Sequence, residues 1–199
     1  MAGKKFIEKN EFLKPENMVL LYARGAFPMA DDSGEINWYM PETRTIIPLD
    51  SFNVPRSVRK FMESTDFEYR FDYQTEEIIR NCAEREKTWI SPELIKAYKG
   101  LLQQNHLHSV GVYRNNRLIG GLFGVTYRGA FFGESMFSKV SQASKTALVT
   151  LVKHLRKRKF VLLDVQFLTP HLKMFGAEVI SFEEYMELLI GSYSKDVSF

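Results

Sequence analysis

The residues best able to do chemistry in this chain are polar groups set among apolar ones. Glu134 lies in Phe131-Phe132-Gly133-Glu134-Ser135-Met136-Phe137-Ser138, between two aromatic residues and a Met-Phe pair. Burying a carboxylate is costly unless something hydrogen-bonds or neutralises it, so this stretch is expected to floor a ligand pocket. Asp164 and Gln166 interrupt Phe160–Phe167, the most hydrophobic run in the sequence. Two apart on a strand, they are expected to share a face with Leu162 and Phe160, where each can serve the other or a ligand. The structural alternative is a pair satisfied by neighbouring backbone. Trp89, in Lys87-Thr88-Trp89-Ile90-Ser91, stands beside a helix start and suits either base stacking or core filling. Ser135, Ser138, Ser141 and Ser144 lack a Gly-x-Ser-x-Gly elbow and a His at useful spacing, which argues against a serine nucleophile. Without HExxH, CxxC, P-loop or GxGxxG patterns, metal, ATP and dinucleotide readings are weak.

The elements that must position these groups alternate in type. Residues 15–25 read as a helix with Pro at its start and Gly at its stop, followed by a loop over 26–34. Arg44 to Leu49 reads as a strand and residues 56–63 as a helix. Phe67–Phe71 alternates as a strand, and residues 74–83 form a helix with Ile78, Ile79 and Cys82 inward. Ser91 caps the next helix, with Pro92 at its first position. His108–Tyr113 and Leu118–Tyr127 form a hairpin across Asn115-Asn116, and Arg128-Gly129 turns into the Glu134 stretch. Helix 142–157 carries an apolar stripe of Ala143, Ala147, Leu148, Leu151, Val152 and Leu155. A buried strand over 160–167, helices near 171–175 and 182–190, and a strand near 178–180 complete the chain. Strand meander, helix and buried strand make an α+β pattern, the one an acyltransferase of the GNAT type would show. A soft boundary near residue 60 divides a small N-terminal domain (1–60) from the main domain (61–199).

The 199 residues suit one domain with a smaller appendage, and 45% hydrophobic content is enough for a packed core. Cys82 is the single cysteine, so there is no intramolecular disulfide. The first ten residues lack the apolar stretch of a signal peptide, and no run of 18 apolar residues suggests a membrane span. A cytoplasmic protein that does not engage membranes, and a monomer, are the expectations. The net charge of +3 is modest, but Lys153-His154-Leu155-Arg156-Lys157-Arg158-Lys159 is strongly basic. Such a cluster suits a polyanion; alternatively its cations favour the negative end of a helix dipole.

One absence bears on the donor. GNAT enzymes that use acyl-coenzyme A grip the pyrophosphate with a Gly-rich turn into a helix, whereas Ser138–Lys145 here contains no Gly. Gly133-Glu134-Ser135-Met136-Phe137-Ser138, followed by Ala143-Ser144-Lys145-Thr146-Ala147-Leu148, closely resembles the leucyl/phenylalanyl-tRNA–protein transferase family. So do Arg24-Gly25-Ala26-Phe27-Pro28, Trp38–Pro41, Thr88-Trp89-Ile90, Gly120–Val125 and Leu163-Asp164-Val165-Gln166. The resemblance implies a GNAT-like C-terminal domain and a reaction moving Leu or Phe, and less well Met, from aminoacyl-tRNA to proteins beginning with Arg or Lys. That addition marks the acceptor for degradation through the N-end rule.

What the resemblance implies for residues is specific. Leu122, Phe131, Met136, Leu151 and Leu155 would form the pocket for the carried side chain, with Phe27 and Met29 also among the substrate-binding residues. Glu134 would hold the aminoacyl-adenosine end, and Trp89 would line the adenosine site. Asp164, oriented by Gln166, would hold or deprotonate the attacking amine. Lys153, Arg156, Lys157, Arg158 and Lys159 would meet tRNA phosphates. Ester-to-amide conversion is downhill, so neither metal nor ATP nor other cofactor is required. The chain departs from the family pattern at Met29, where a Trp is common, in a shorter front segment, and at Thr169. The alternatives are a coenzyme A acetyltransferase and a non-catalytic tRNA- or N-terminus-binding module.

Overall fold

The computed structural model describes residues 9–199. The first eight residues, part of the stretch read as lacking a signal peptide, lie outside the described residues. A 3-10 turn, Lys9–Leu13, leads into α1 (Pro15–Tyr22), which has Pro at its start and ends in a turn closed by Gly25 at φ +83°. The expected loop over 26–34 is instead a small hairpin, β1 (Phe27–Ala30) antiparallel to β2 (Ile36–Tyr39). Its turn is set by Asp31, whose carboxylate accepts from the backbone N–H groups of Ser33 and Glu35.

The main sheet begins with β3 (Thr43–Ile46), passes α2 (Arg56–Ser64), and continues through β4 (Glu68–Phe71). Next come α3 (Thr75–Ala83) and α4 (Pro92–Gln103), the latter capped by Ser91 Oγ as expected. The meander follows: β5 (Leu107–Arg114), β6 (Arg117–Tyr127) and β7 (Ala130–Ser138). Asn115 and Asn116 both have positive φ, +49° and +59°, which suits the primed turns of tight hairpins. The crossover helix α5 (Ala143–Lys157) then carries the chain to β8 (Leu162–Gln166), parallel to β7. Finally come α6 (Pro170–Lys173), β9 (Glu178–Ser181) and α7 (Phe182–Ser192), the last with a Ser181/Glu184 capping box.

The seven strands of this sheet run in the order β4-β5-β6-β7-β8-β3-β9, so the fold is α+β with the meander, helix and buried strand in the expected succession. β3 precedes residue 60 yet lies between β8 and β9, so the main sheet draws a strand from the segment assigned to the small N-terminal domain. Two apolar clusters cover the two faces. One joins Met18 and Tyr22 of α1 to Ile78, Leu94, Tyr98, Tyr185 and Leu189; the other joins Val58 of α2 to Leu148, Leu151, Leu155 and Phe175. The stripe expected on α5 is buried throughout.

Two irregularities open the sheet at its centre. On β7, Gly133 pairs with Gly124 and Ser135 with Phe123, leaving Glu134 as an extra residue. On β8, Asp164 and Gln166 oppose the consecutive residues Ile46 and Thr45, leaving Val165 extra. Bulges bend strands and re-aim side chains. The parallel pairing of β7 with β8 stops at Phe132 and Asp164, at the level of these bulges.

Candidate active site

A cavity of about 680 Å³ occupies the gap between the diverging strands, lined by Gly133–Ser138 of β7, by Leu163 and Val165 of β8, and by Phe167 just beyond it. Its wall on the α5 side is mostly apolar, with Leu122, Met136, Leu148, Leu151 and Leu163 beside the polar Ser144, Thr169 and His171. The opposite side carries Asn81, Glu84, Arg85, Trp89 and Glu134. A mostly apolar hole with a few convergent polar groups is the usual form of a small-ligand site. This one sets an apolar wall beside a carboxylate.

Glu134, the bulged residue, is 7% exposed. Tyr98 O–H donates to its Oε2 at 2.6 Å, and Gln166 Nε2 donates to its Oε1 at 3.0 Å. The Tyr22 hydroxyl is buried beside the same carboxylate without a hydrogen bond of normal length. Burial raises the Glu134 pKa to about 7, and the Tyr98 hydroxyl only partly offsets it. The same burial, with the Glu134 charge, pushes the Tyr98 phenol well above its usual range.

Asp164 is fully buried and fully occupied. Arg44 Nε donates to both carboxylate oxygens at 3.0 Å and Nη2 to Oδ2 at 2.7 Å. Tyr185 O–H also reaches Oδ2, at 2.8 Å, and the Gln166 backbone N–H reaches Oδ1, at 2.8 Å. Burial works against the Arg44 charge, but the Asp164 carboxylate outweighs it and raises the guanidinium pKa. Arg44 Nη1 goes on to the Gly25 carbonyl oxygen at 2.9 Å, tying the front segment to the site. Gln166 itself has φ +61°, and Phe167 N–H bonds back to the Val165 carbonyl oxygen at 2.7 Å, which makes a tight three-residue turn of the strained hand. The Asp164–amide bond holds that turn and so aims the Gln166 side chain at Glu134.

Of the residues named from sequence, the structure brings Glu134, Trp89, Leu122, Met136 and Leu151 to the cavity wall. Gln166 stands behind Glu134. Asp164 lies behind both, facing Arg44 rather than the cavity. Gln166 does not continue the strand face of Asp164 and Leu162, because its backbone is left-handed, and Phe160 packs in the other apolar cluster. Phe131 and Leu155 are core residues outside the cavity lining. Phe27 is buried, stacked on Tyr39 and edge-on to Phe167, and Met29 is half-buried on β1; neither lines the cavity. Trp89 is tied to β1 through its carbonyl oxygen, which accepts from Ala30 N–H at 3.0 Å.

Lys153, Arg156, Lys157, Arg158 and Lys159 are exposed at the C-terminal end of α5. From Ser144 at the cavity to Lys157 is about 20 Å at 1.5 Å per residue. Arg158 is engaged by Ser198 there. Sequence reasoning did not pick out Arg44, Tyr98, Tyr185 or Arg85. The only signal for Arg44 was a cation at the start of the strand read over Arg44 to Leu49, and Tyr98 gave none beyond its place in the helix that Ser91 caps.

Comparison with known proteins adds a family. A sequence model described as leucyl/phenylalanyl-tRNA protein transferase matches residues 46–190, and one for the N-terminal domain of that family matches residues 13–42. The chain is 45% identical over 188 residues to the leucyl/phenylalanyl-tRNA–protein transferase of Herpetosiphon aurantiacus, covering 94% of this chain and 98% of that protein. It matches the enzyme of Rubrobacter xylanophilus at 45% with the same coverage. For Salinibacter ruber the identity is 42%, over 89% of this chain and 79% of that protein.

Proposed function

The chain belongs to the leucyl/phenylalanyl-tRNA–protein transferase family, a family of aminoacyltransferases, and from that premise we propose how its cavity works. It takes the aminoacyl end of Leu-tRNA or Phe-tRNA, with Met a lesser donor, and passes the amino acid to a protein whose N-terminal residue is Arg or Lys. The acceptor α-amine attacks the ester carbonyl carbon. An amide forms, the bond to the ribose oxygen breaks, and the amine gives up a proton as the ribose hydroxyl takes one. The product enters N-end rule degradation. The protein works in the cytoplasm as a monomer; among the described residues no helix is long and apolar enough to cross a membrane.

The observation that carries this reading is the pairing of an apolar wall with Glu134 in one cavity. Leu122, Met136, Leu148, Leu151 and Leu163 receive the Leu or Phe side chain. Glu134 receives the donor's α-ammonium group, and Trp89 takes the adenine face. One N–H of the Gln166 amide donates to Glu134 and fixes the amide plane, and its carbonyl oxygen accepts from the attacking amine. Asp164 has no free lone pair to act as a base and is a positioning residue, holding Gln166 through the backbone. Catalysis is then mostly orientation of two reactants in a water-poor cleft.

The test is transfer of radiolabelled leucine from Leu-tRNA to peptides beginning with Arg, Lys, Asp or Glu. Label is expected on the first two. Label on none of them, or on the acidic pair alone, contradicts the reading.

A further inference from the structure

Arg85 stands on the cavity rim, in the loop between α3 and α4, and all of its side-chain hydrogen bonding runs through one nitrogen. Nη2 donates to Ser135 Oγ at 2.9 Å and to the Met136 carbonyl oxygen at 2.5 Å. These are neutral acceptors, so they orient the guanidinium without compensating its charge. Among the described residues no carboxylate lies within ion-pair distance of it, although Arg44, Arg70, Arg80 and Arg114 each face one. Glu84 precedes it on the same rim without pairing to it. Arg85 is also the sole Lys or Arg among the residues lining the cavity. A fixed guanidinium with Nε and Nη1 unused is a ready anion site, and a phosphate suits it best.

Its neighbours indicate which phosphate. Trp89 lies four residues further along the same loop and lines the same cavity. With the adenine there and the amino acid against α5, the ribose spans the cavity with its ester-bearing 3′ side inward. Its 5′ oxygen then points outward, to the rim. Resting on the aminoacyl-tRNA reading of the cavity, we propose that Arg85 binds the phosphate immediately 5′ of the terminal adenosine. That phosphodiester is the one nearest the reacting ester.

Three leucyl donors isolate this contact: Leu-tRNA, the leucyl ester of adenosine 5′-monophosphate, and the leucyl ester of adenosine, which has no phosphate. For Arg85→Ala, kcat/KM is expected to fall about ten- to hundredfold with the first two donors and less than threefold with the third. Arg85→Lys recovers part of the loss, as a point charge without the fork. Equal losses on all three donors would show that Arg85 only straps its loop to β7, and would overturn the proposal. A loss seen with Leu-tRNA alone would also overturn it, because the phosphate concerned would lie further up the strand. If Arg85→Ala does not fold, the wild type alone decides. It is expected to prefer the phosphate-bearing mononucleotide at least severalfold at low salt, with the preference fading as salt rises; no preference contradicts the proposal. Wild-type inactivity with every donor, Leu-tRNA included, is the separate result that sinks the aminoacyl-tRNA reading itself, and this proposal with it.

Discussion

A carboxylate that already accepts from Arg44, Tyr185 and the Gln166 amide has nothing left for a substrate, and removing it strands a buried cation. Asp164→Ala is therefore expected to cost about 3–5 kcal/mol of stability, read as a lower urea midpoint, together with loss of transfer. Normal stability with transfer abolished would instead make Asp164 a direct participant. Glu134 makes a different prediction. Its pKa lies above the ordinary carboxylate value of 4.5, at about 7, so the folded state favours its protonated form. The stability it contributes is present below about pH 4.5 and is lost as pH rises through about 7. Glu134→Gln should flatten the fall in stability between about pH 4.5 and 7; an unchanged slope would assign that fall to other groups. The same ionisation should give donor binding an extra rise through pH 7 that Glu134→Gln lacks. At this scale the sequence was half legible. A Glu among aromatics announces an unusual carboxylate, because burial cost depends only on local company. Nothing in sequence spacing could show that Arg44, 120 positions from Asp164, would join Tyr185 and the Gln166 amide in saturating the second one.

The elements set the site through two bulges and one crossover helix. Gly124 opposes the β7 bulge, and a Cβ there would meet a Phe131 ring carbon and the Phe132 carbonyl oxygen, each at 2.3 Å. Gly124→Ala is thus expected to destabilise by at least about 2 kcal/mol. Gly191→Ala, in α7 with nothing within 4 Å, should stabilise by about 0.5–1 kcal/mol. Paired denaturation curves check both signs, and an innocuous Gly124→Ala would mean that the bulge is not rigid. On α5, Leu151→Ala enlarges the apolar wall, so the Phe-to-Leu ratio of kcat/KM should rise severalfold while stability falls by about 2–4 kcal/mol. The helix and its buried stripe could be read from period alone, and the hairpin from its Asn115-Asn116 turn. The β1–β2 hairpin could not, because Pro28 and a Gly- and Asp-rich segment read as loop until the Asp31 turn brings the strands together. The bulges were hidden too, since a one-residue excess has no composition of its own.

At the scale of the molecule, α1 shares a core cluster with α4 and α7, and Arg44 joins Gly25 to Asp164. We expect the front segment and the main body to unfold in one calorimetric transition with equal calorimetric and van't Hoff enthalpies; two peaks would separate them. The order of the elements was legible in the chain, but the placement of β3 between β8 and β9 was not, because strand order depends on long-range pairing. The basic end of α5, about 20 Å from the cavity, should meet the tRNA further from its 3′ end. Replacing Lys153, Arg156 and Lys157 with Ala should lower the salt slope of tRNA affinity by about 2–3. An unchanged slope would leave those cations as partners of the helix dipole. The central claim is that the cleft between β7 and β8 selects the donor by its apolar side chain. Its most direct test is single-turnover transfer to an Arg-initiated peptide from leucyl-, phenylalanyl- and aspartyl-tRNA. The expected result is product with the first two and none with the third; product from aspartyl-tRNA at a comparable rate, or from none of the three, would contradict it.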